Sequence, residues 1–234
     1  MTGFPPPQPA EWPRRAPDDP GLDKPDHVDR NRAVAGRPGT APKGSHRNLA
    51  PPGGFWEYND VRVNRLALAL LRLWRRPLPE VFGELVMAPI GASADWEWHG
   101  YRNSWVEIDG RRMQSVAGGG HWGGGVFIHA RDQARIGLML LRRGVWAGRR
   151  ILSEAWVEQM LAPCPLFPQY GYLCWLNTAR RLYPSASEPS FFARGAGGNL
   201  TWIDPENDLV AVQRWTDPAA VDGFIALLML ACRR

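Results

Sequence analysis

Cysteine and lysine are the scarce residues in these 234: three of the first and two of the second. Cys164, Cys174 and Cys232 are odd in number and show no Cys-x-x-Cys spacing. This argues against a disulfide framework and a zinc site, and leaves the three as small hydrophobes for the interior. No apolar run reaches the ~20 residues that span a bilayer. Nor does the start show basic residues leading into an apolar core, so no signal peptide is read. As written, the chain is expected in the cytoplasm, with a periplasmic or secreted location left open for a longer version.

Positive charge is in excess, +5 formally with a pI near 9.5, and almost all of it is arginine. It falls in scattered pairs such as Arg75-Arg76, Arg142-Arg143 and Arg180-Arg181. Basic and aromatic side chains do not interleave into a nucleic-acid surface, so the pairs read as solvated faces and no nucleic-acid partner is expected. An apolar content of 44% with twelve Trp calls for a substantial core in one good-sized domain.

Residues 1–54 stand apart. Pro5-Pro6-Pro7, Pro9, Pro13, Pro17, Pro20 and Pro25 precede Gly- and Arg-rich sequence with few large aliphatic side chains. Such a leader cannot bury enough surface to offset its ordering entropy. The remainder, 55–234, reads as a domain. Leu66, Leu70, Leu73 and Trp74 recur at helical spacing over 60–75 and predict a buried stripe there. A second helix starts near Leu78 with Val81, Phe82, Leu85 and Val86 as its face. Trp96–Trp98, Trp105–Ile108 and Met113–Val116 alternate like strands, with Asp109-Gly110 as a hairpin turn. A strand at Val126–His129 feeds a helix, and Ser153 caps another at 154–161. Beyond it, Tyr170–Leu176, Phe191–Ala193, Leu200–Ile203 and Leu209–Trp215 read as sheet, closed by a helix from Pro218 to about Cys232 with Val221, Phe224, Ile225, Leu228 and Met229 on its face.

Candidate chemistry gathers at three places. Tyr58 precedes a helix start at Asn59 or Asp60, where free N–H groups and the helix dipole favour negative charge and would lower a phenol's pKa. The same position also suits a packing residue. His121 and Trp122 sit among six glycines in Gly118–Gly125, a composition suited to a pocket wall. No Lys-Ser/Thr follows those glycines, so they are not a phosphate loop. His99 and His129 add no metal-ligand spacing, and neither metal nor cofactor is expected. Third, Ala193-Arg194-Gly195-Ala196-Gly197-Gly198-Asn199 reads from its residues as a Gly-rich turn between two strands, and gains a site-lining role only from the resemblance given next.

The run Phe55–Asn64 resembles the Tyr-x-Asn motif of the serine β-lactamase-like hydrolases (class C β-lactamases, DD-peptidases and related esterases), with Asp60 in the Asn place. Gly118–Leu138, Trp146–Ser153 and Gly195–Asn199 are similar to further stretches of that family, in the family's order. The resemblance implies an α+β fold of the β-lactamase/transpeptidase type, an antiparallel sheet packed by helices plus a helical subdomain, with the N-terminal part of the fold missing. It implies Tyr58 as proton carrier and Asp60 as its hydrogen-bonding partner. Gly195 would leave room for a small-molecule amide or ester, the Ala196 N–H would be half of an oxyanion hole, and Arg194, His121 and Trp122 would contact substrate. The family's Ser-x-x-Lys is absent: neither Lys24 nor Lys43 has a Ser three residues before it. Two classes of function therefore remain, a β-lactamase-related serine hydrolase inactive as this chain, and a non-catalytic remnant that binds carbohydrate or peptide. Without the family's N-terminal strands, Leu209–Trp215 is expected to form an unpaired edge, with marginal stability and aggregation as the consequence.

Overall fold

The computed structural model describes residues 53, 54, 56, 58, 60–100, 104–115, 125–195 and 197–232. The leader expected over 1–54 lies outside them apart from Gly53 and Gly54, as does most of the Gly118–Gly125 loop. The described chain divides into two units, one holding Tyr58–Val81 and Glu97–Phe127, the other Ala50–Glu57, Phe82–Trp96 and Ile128–Arg234.

In the first unit, α1 (Asp60–Trp74) starts where the capping residues place it. Its buried stripe differs from the one expected. Ala67, Leu68 and Leu71 are buried with Leu78 and Met113, whereas Leu66, Leu70 and Trp74 are exposed and Leu73 is 75% exposed. The hairpin β2 (Trp105–Ile108) and β3 (Arg111–Gln114) decides this. Its Val106, Ile108 and Met113 pack on the Ala67 side, where the small methyl permits close approach. Asp109 and Gly110 turn the hairpin with φ of +55° and +72°, the type I′ geometry that matches strand twist. Arg75, itself left-handed at the end of α1, pairs with Asp109, and Arg111 pairs with Glu80 at 2.6 Å. A second short ladder joins β1 (Glu97–His99) to β4 (Gly125–Phe127).

Central to the second unit is an antiparallel sheet in the order β10-β9-β8-β7: β7 (Trp175–Leu176), β8 (Phe191–Gly195), β9 (Asn199–Asp204) and β10 (Leu209–Gln213). Strand alternation sends Leu200 and Trp202 to one face and Ile203 to the other. On the first face, Phe192, Leu200 and Trp202 pack against Val221, Ile225 and Met229 of α5 (Val221–Cys232). On the second, Phe191, Ile203 and Val210 meet Leu140 and Leu141 of α3 (Ala130–Leu141), with Met160 and Leu161 of α4 (Glu154–Leu161). The architecture is α+β, with helices on both faces. Phe224, expected in the α5 core face, is exposed, because the face follows the four-residue step Val221, Ile225, Met229. β10 is the sheet's outer edge among the described residues, and both of its faces are half-buried.

Connections follow from local chemistry. Ser153 caps α4 by accepting from Trp156 N at 3.2 Å. Ahead of it, β5 (Val145–Trp146) and β6 (Arg149–Arg150) turn on Ala147 and Gly148, with φ of +46° and +80°. The helix begun by α2 (Leu78–Phe82) runs into a π-turn at Gly83–Met87, where Ala88 N donates to Gly83 O at 2.9 Å. The extra residue shifts the buried face, so Met87 and Ile90 enter the core while Leu85 is exposed. The strand expected over Tyr170–Leu176 contracts to its last two residues. Gly171 lies against Met160 O, Tyr172 N donates to that carbonyl at 2.9 Å, and Leu173 turns at φ +57°. Of the cysteines, only Cys174 is buried, and burial pushes its thiol up to about 12; Cys164 is half-buried and Cys232 exposed.

Two contacts fix α3, and each yields a test. Gly137 faces Val210, and a Cβ there would stand 2.7 Å from Val210 Cγ1. Gly137→Ala is expected to destabilise by about 1 to 2 kcal/mol despite the helix-propensity gain, with Val210→Ala in the same chain recovering most of it, as read from urea midpoints. At the start of α3, the buried Asp132 carboxylate accepts from Ser93 Oγ at 2.6 Å and Ser93 N at 3.1 Å, and pairs with Arg135. Burial pushes its pKa up, but the Ser93 hydrogen bonds and Arg135 outweigh that and leave it below the usual carboxylate value. A depressed folded pKa gives stability that is present above the unfolded value near 3.8 and lost as pH falls through the folded one. Asp132→Asn is therefore expected to cost about 2 kcal/mol at pH 7 and progressively less in acid, measured by denaturation at a series of pH values.

Candidate functional site

β8 pairs with β9 along its whole length, Phe191 to Gly195, but with β7 only at Phe191 and Phe192. Among the described residues its outer edge is thus open from Ala193 to Gly195, and unpaired strand backbone there can hydrogen-bond an extended ligand. Arg194 follows Phe192 by two residues and shares its face. Its guanidinium lies 5.0 Å from the centre of the Trp175 ring and 5.6 Å from that of Tyr183.

The loop 177–190 sets Tyr183 in place. Asn177, fully buried, donates through Nδ2 to Tyr183 O at 3.0 Å and Ser187 O at 2.9 Å, and its Oδ1 accepts from Tyr183 N at 3.0 Å. Tyr183 then packs edge-on against Phe192, with centroids 4.9 Å apart. Burial pushes the Tyr183 phenol above its ordinary value; Arg194 opposes this and Asp222 adds to it. Trp175 belongs to a further set of half-buried rings. Tyr170 meets it at 5.0 Å, Phe167 at 6.2 Å, and Trp56 stacks on Phe167 at 4.1 Å.

Beyond Gly195 the chain turns on Gly197 and Gly198, with φ of +76° and +69°. Both positions demand glycine twice over. A Cβ on Gly197 would meet the Trp215 ring at 2.5 Å, and one on Gly198 would run into the Thr216 carbonyl. Trp215 is itself left-handed, at φ +58°, an uncommon conformation for a bulky residue. The strand end is therefore a shaped feature clamped from above by 215–216.

Of the residues singled out in the sequence, Arg194 and Gly195 are consecutive at this strand end in the second unit. Tyr58 and Asp60 belong to the first unit: Tyr58 is 45% exposed just before α1, and Asp60 opens that helix. His121, Trp122 and Ala196 lie outside the described residues. Trp175, Tyr183 and Trp215 went unnoticed in the sequence, since each acts through a ring contact between segments distant along the chain. Among the described residues there is no group of three or more His, Cys, Asp or Glu able to hold a metal ion, and no helix long and apolar enough to cross a membrane.

Over 132 residues the chain is 32% identical to the 6-aminohexanoate-dimer hydrolase of Paenarthrobacter ureafaciens, an alignment covering 49% of this chain and 32% of that one. Its fold is that of β-lactamases and penicillin-binding proteins. Its fold is shared with a Bacillus anthracis structure provisionally named 6-aminohexanoate-dimer hydrolase (TM-score 0.58, 21% identity, covering 80% of this chain and 46% of the other). A Mycobacterium bovis β-lactamase matches with TM-score 0.55 and 19% identity, over 80% of this chain and 68% of the other. A penicillin-binding protein homologue from Caulobacter crescentus gives 0.52 and 16%, over 74% and 57%. No protein-family model matches. The chain spans a third of the curated relative and about half of the Bacillus structure.

The glycine turn offers a check on this strand end. Gly198→Ala meets both a left-handed backbone and a carbonyl, and is expected to destabilise by more than about 1 kcal/mol. Asn199→Ala beside it, which keeps the turn glycines, should lower the melting temperature less.

Proposed function

We propose that this chain serves acyl-enzyme hydrolysis of an amide or ester bond in a small molecule, as a β-lactamase-related serine hydrolase whose nucleophile is not among these 234 residues. The observation that carries the reading is the strand end at Ala193–Gly195. It is open on one side among the described residues, runs into a glycine turn held by Trp215 and Thr216, and belongs to a chain similar in sequence to a 6-aminohexanoate-dimer hydrolase. An open edge supplies backbone partners for substrate, and the resemblance gives the Ala196 N–H as one donor of an oxyanion hole.

In this reading a Ser hydroxyl attacks the carbonyl carbon while its proton passes to a neighbouring Lys amine. Tyr58, steadied by Asp60, hands a proton to the departing amine or alkoxide. Water then enters by the reverse path, breaking the acyl bond and restoring the Ser. The resemblance gives His121, Trp122 and Arg194 as substrate contacts. The lack of Ser-x-x-Lys favours one alternative for the chain alone, a ligand-binding protein without turnover.

Translation of the DNA upstream of the Met1 codon, with expression of both lengths, separates the two. The expected outcome is an in-frame Ser-x-x-Lys, an extended protein that hydrolyses p-nitrophenyl esters, and a 234-residue chain that neither turns them over nor labels with a fluorophosphonate. In the extended protein Tyr58→Phe should lower kcat by about 10²- to 10⁴-fold. Labelling of the 234-residue chain overturns the statement about the nucleophile, and a silent chain with no such motif upstream leaves the binding reading.

A further inference from the structure

β10 is an edge with nothing to blunt it. Among the described residues its strand neighbour is β9 alone, and the pairing runs from Leu209 to Gln213 without a bulge. Sheet edges are usually protected by proline, charge, a bulge or extreme shortness, and the five residues Leu-Val-Ala-Val-Gln have none of these. At the other side of the sheet, β7 is two residues long. Leu209 and Ala211 pack against the cluster that holds Val221, Ile225 and Met229 of α5, and Val210 against the one that holds Leu140 and Leu141 of α3. Helices thus lie over both faces of the strand, yet every residue from Leu209 to Val212 is only half-buried. The exposure that remains lies along the edge, where a further strand would sit.

What fits that edge can be read from its own sequence. Asp208-Leu209-Val210-Ala211-Val212-Gln213-Arg214 is nearly palindromic in chemistry, with an acid before the strand, a base after it and Ala211 midway. Turned end for end against a second copy, Asp208 comes to Arg214, Val210 to Val212 and Ala211 to Ala211, while Leu209 meets Gln213. β-Branched pairs and opposite charges are favourable directly across two strands, and two-fold symmetry makes each occur twice. Both charged side chains are exposed on the α3 side. Arg214 donates to Gln133 Oε1 at 2.7 Å and to the Ile128 carbonyl, and Asp208 pairs with Arg142, which leaves each carboxylate oxygen a second lone pair. We propose that β10 is a self-association edge: two copies of the chain pair antiparallel along Leu209–Gln213 about a two-fold axis at Ala211. Pairing consumes both edges, and the ends of the joined sheet are then the two β7 strands, too short to propagate. Association therefore stops at the dimer, in place of the open-ended aggregation that an uncovered edge would give. Dimerisation of this kind requires no turnover and belongs to the second unit alone.

Sedimentation velocity of the 234-residue chain at micromolar concentrations is expected to show a reversible equilibrium between monomer and dimer, with no larger species. Asp208→Arg and Arg214→Asp each set like charges at both ends of the pairing, so each should dimerise more weakly than the unaltered chain. Mixing the two restores opposite charges, and the mixed dimer is expected to be at least about tenfold tighter than either variant with itself, a gain that also shows both to be folded. Register is read by cross-linking in a chain carrying Cys164→Ser and Cys232→Ser. Residues directly opposite lie about 4.5 to 5.5 Å apart at Cα, within reach of a disulfide. Ala211→Cys should therefore give a covalent dimer on mild oxidation, and Leu209→Cys, whose two copies lie at opposite ends of the pairing, should not. A chain that stays monomeric, as it would if another segment already covers β10, overturns the proposal. So does association that runs past the dimer, a mixture no tighter than its components, or cross-linking at Ala211→Cys that is absent or no greater than at Leu209→Cys.

Discussion

Burial of β9 from Leu200 to Asp204 is the constraint on which the second unit depends. Trp202 has no exposed surface, and an indole withdrawn from water needs an acceptor for its N–H. Ser190 Oγ provides it at 3.0 Å; Ser190 Oγ in turn lies 2.9 Å from Ser187 Oγ, and Ser187 Oγ donates to Asp204 at 2.6 Å. Asp204 also accepts from Glu206 N, Asn207 N and Asn207 Nδ2, so the same chain of bonds closes the β9–β10 turn. One aromatic placed between two helical layers thus dictates the serines of the 177–190 loop and the acid at the end of its own strand.

That loop is where packing becomes site geometry. The bonds that satisfy Trp202 and Asn177 also bring Tyr183 under the end of β8, and Arg194 rests on it. Beside them, Trp215 and Thr216 press on the glycine turn. A left-handed Trp carries a conformational cost that its surroundings must offset, and costs of this kind tend to persist where a backbone must be held in one shape.

Much of the fold was legible because it is written in local chemistry. Asp109-Gly110, the Ser153 cap and the strand runs read at Phe191–Ala193, Leu200–Ile203 and Leu209–Trp215 each carry their signal within a few residues, and the strands differ from those bounds by two residues at most. What failed depends on partners. Periodicity located α1 but not its buried face, because Leu66, Leu70 and Leu73 are as apolar as Leu68 and Leu71 and only the hairpin's position chooses between them. The strand at Tyr170–Leu176 looked continuous because its residues suit strands, yet the approach of Met160 O to Gly171 bends the chain there. Arg194 and Gly195 are named in the sequence by resemblance alone, and the structure places them at the end of β8. The two rings that hold the arginine were not, since nothing near Trp175 or Tyr183 in sequence marks them as its neighbours.

The π-turn at Gly83–Met87 has a bearing on how this chain tolerates change in length. A helix that closes one ring over five residues carries one more residue than an α-helix needs at that point, and it keeps Met87 and Ile90 inside by doing so. Removing a single residue there would leave a regular α-helix, and everything from Met87 to Ala92 would rotate by about 100° about the axis, the angle of one residue at 3.6 per turn. Leu85 would then compete for the space that Met87 fills, and Trp96 would lose the cleft over Gly83. The segment is in effect a length gauge: a change in its residue count turns Met87 and Ile90 away from the core they fill.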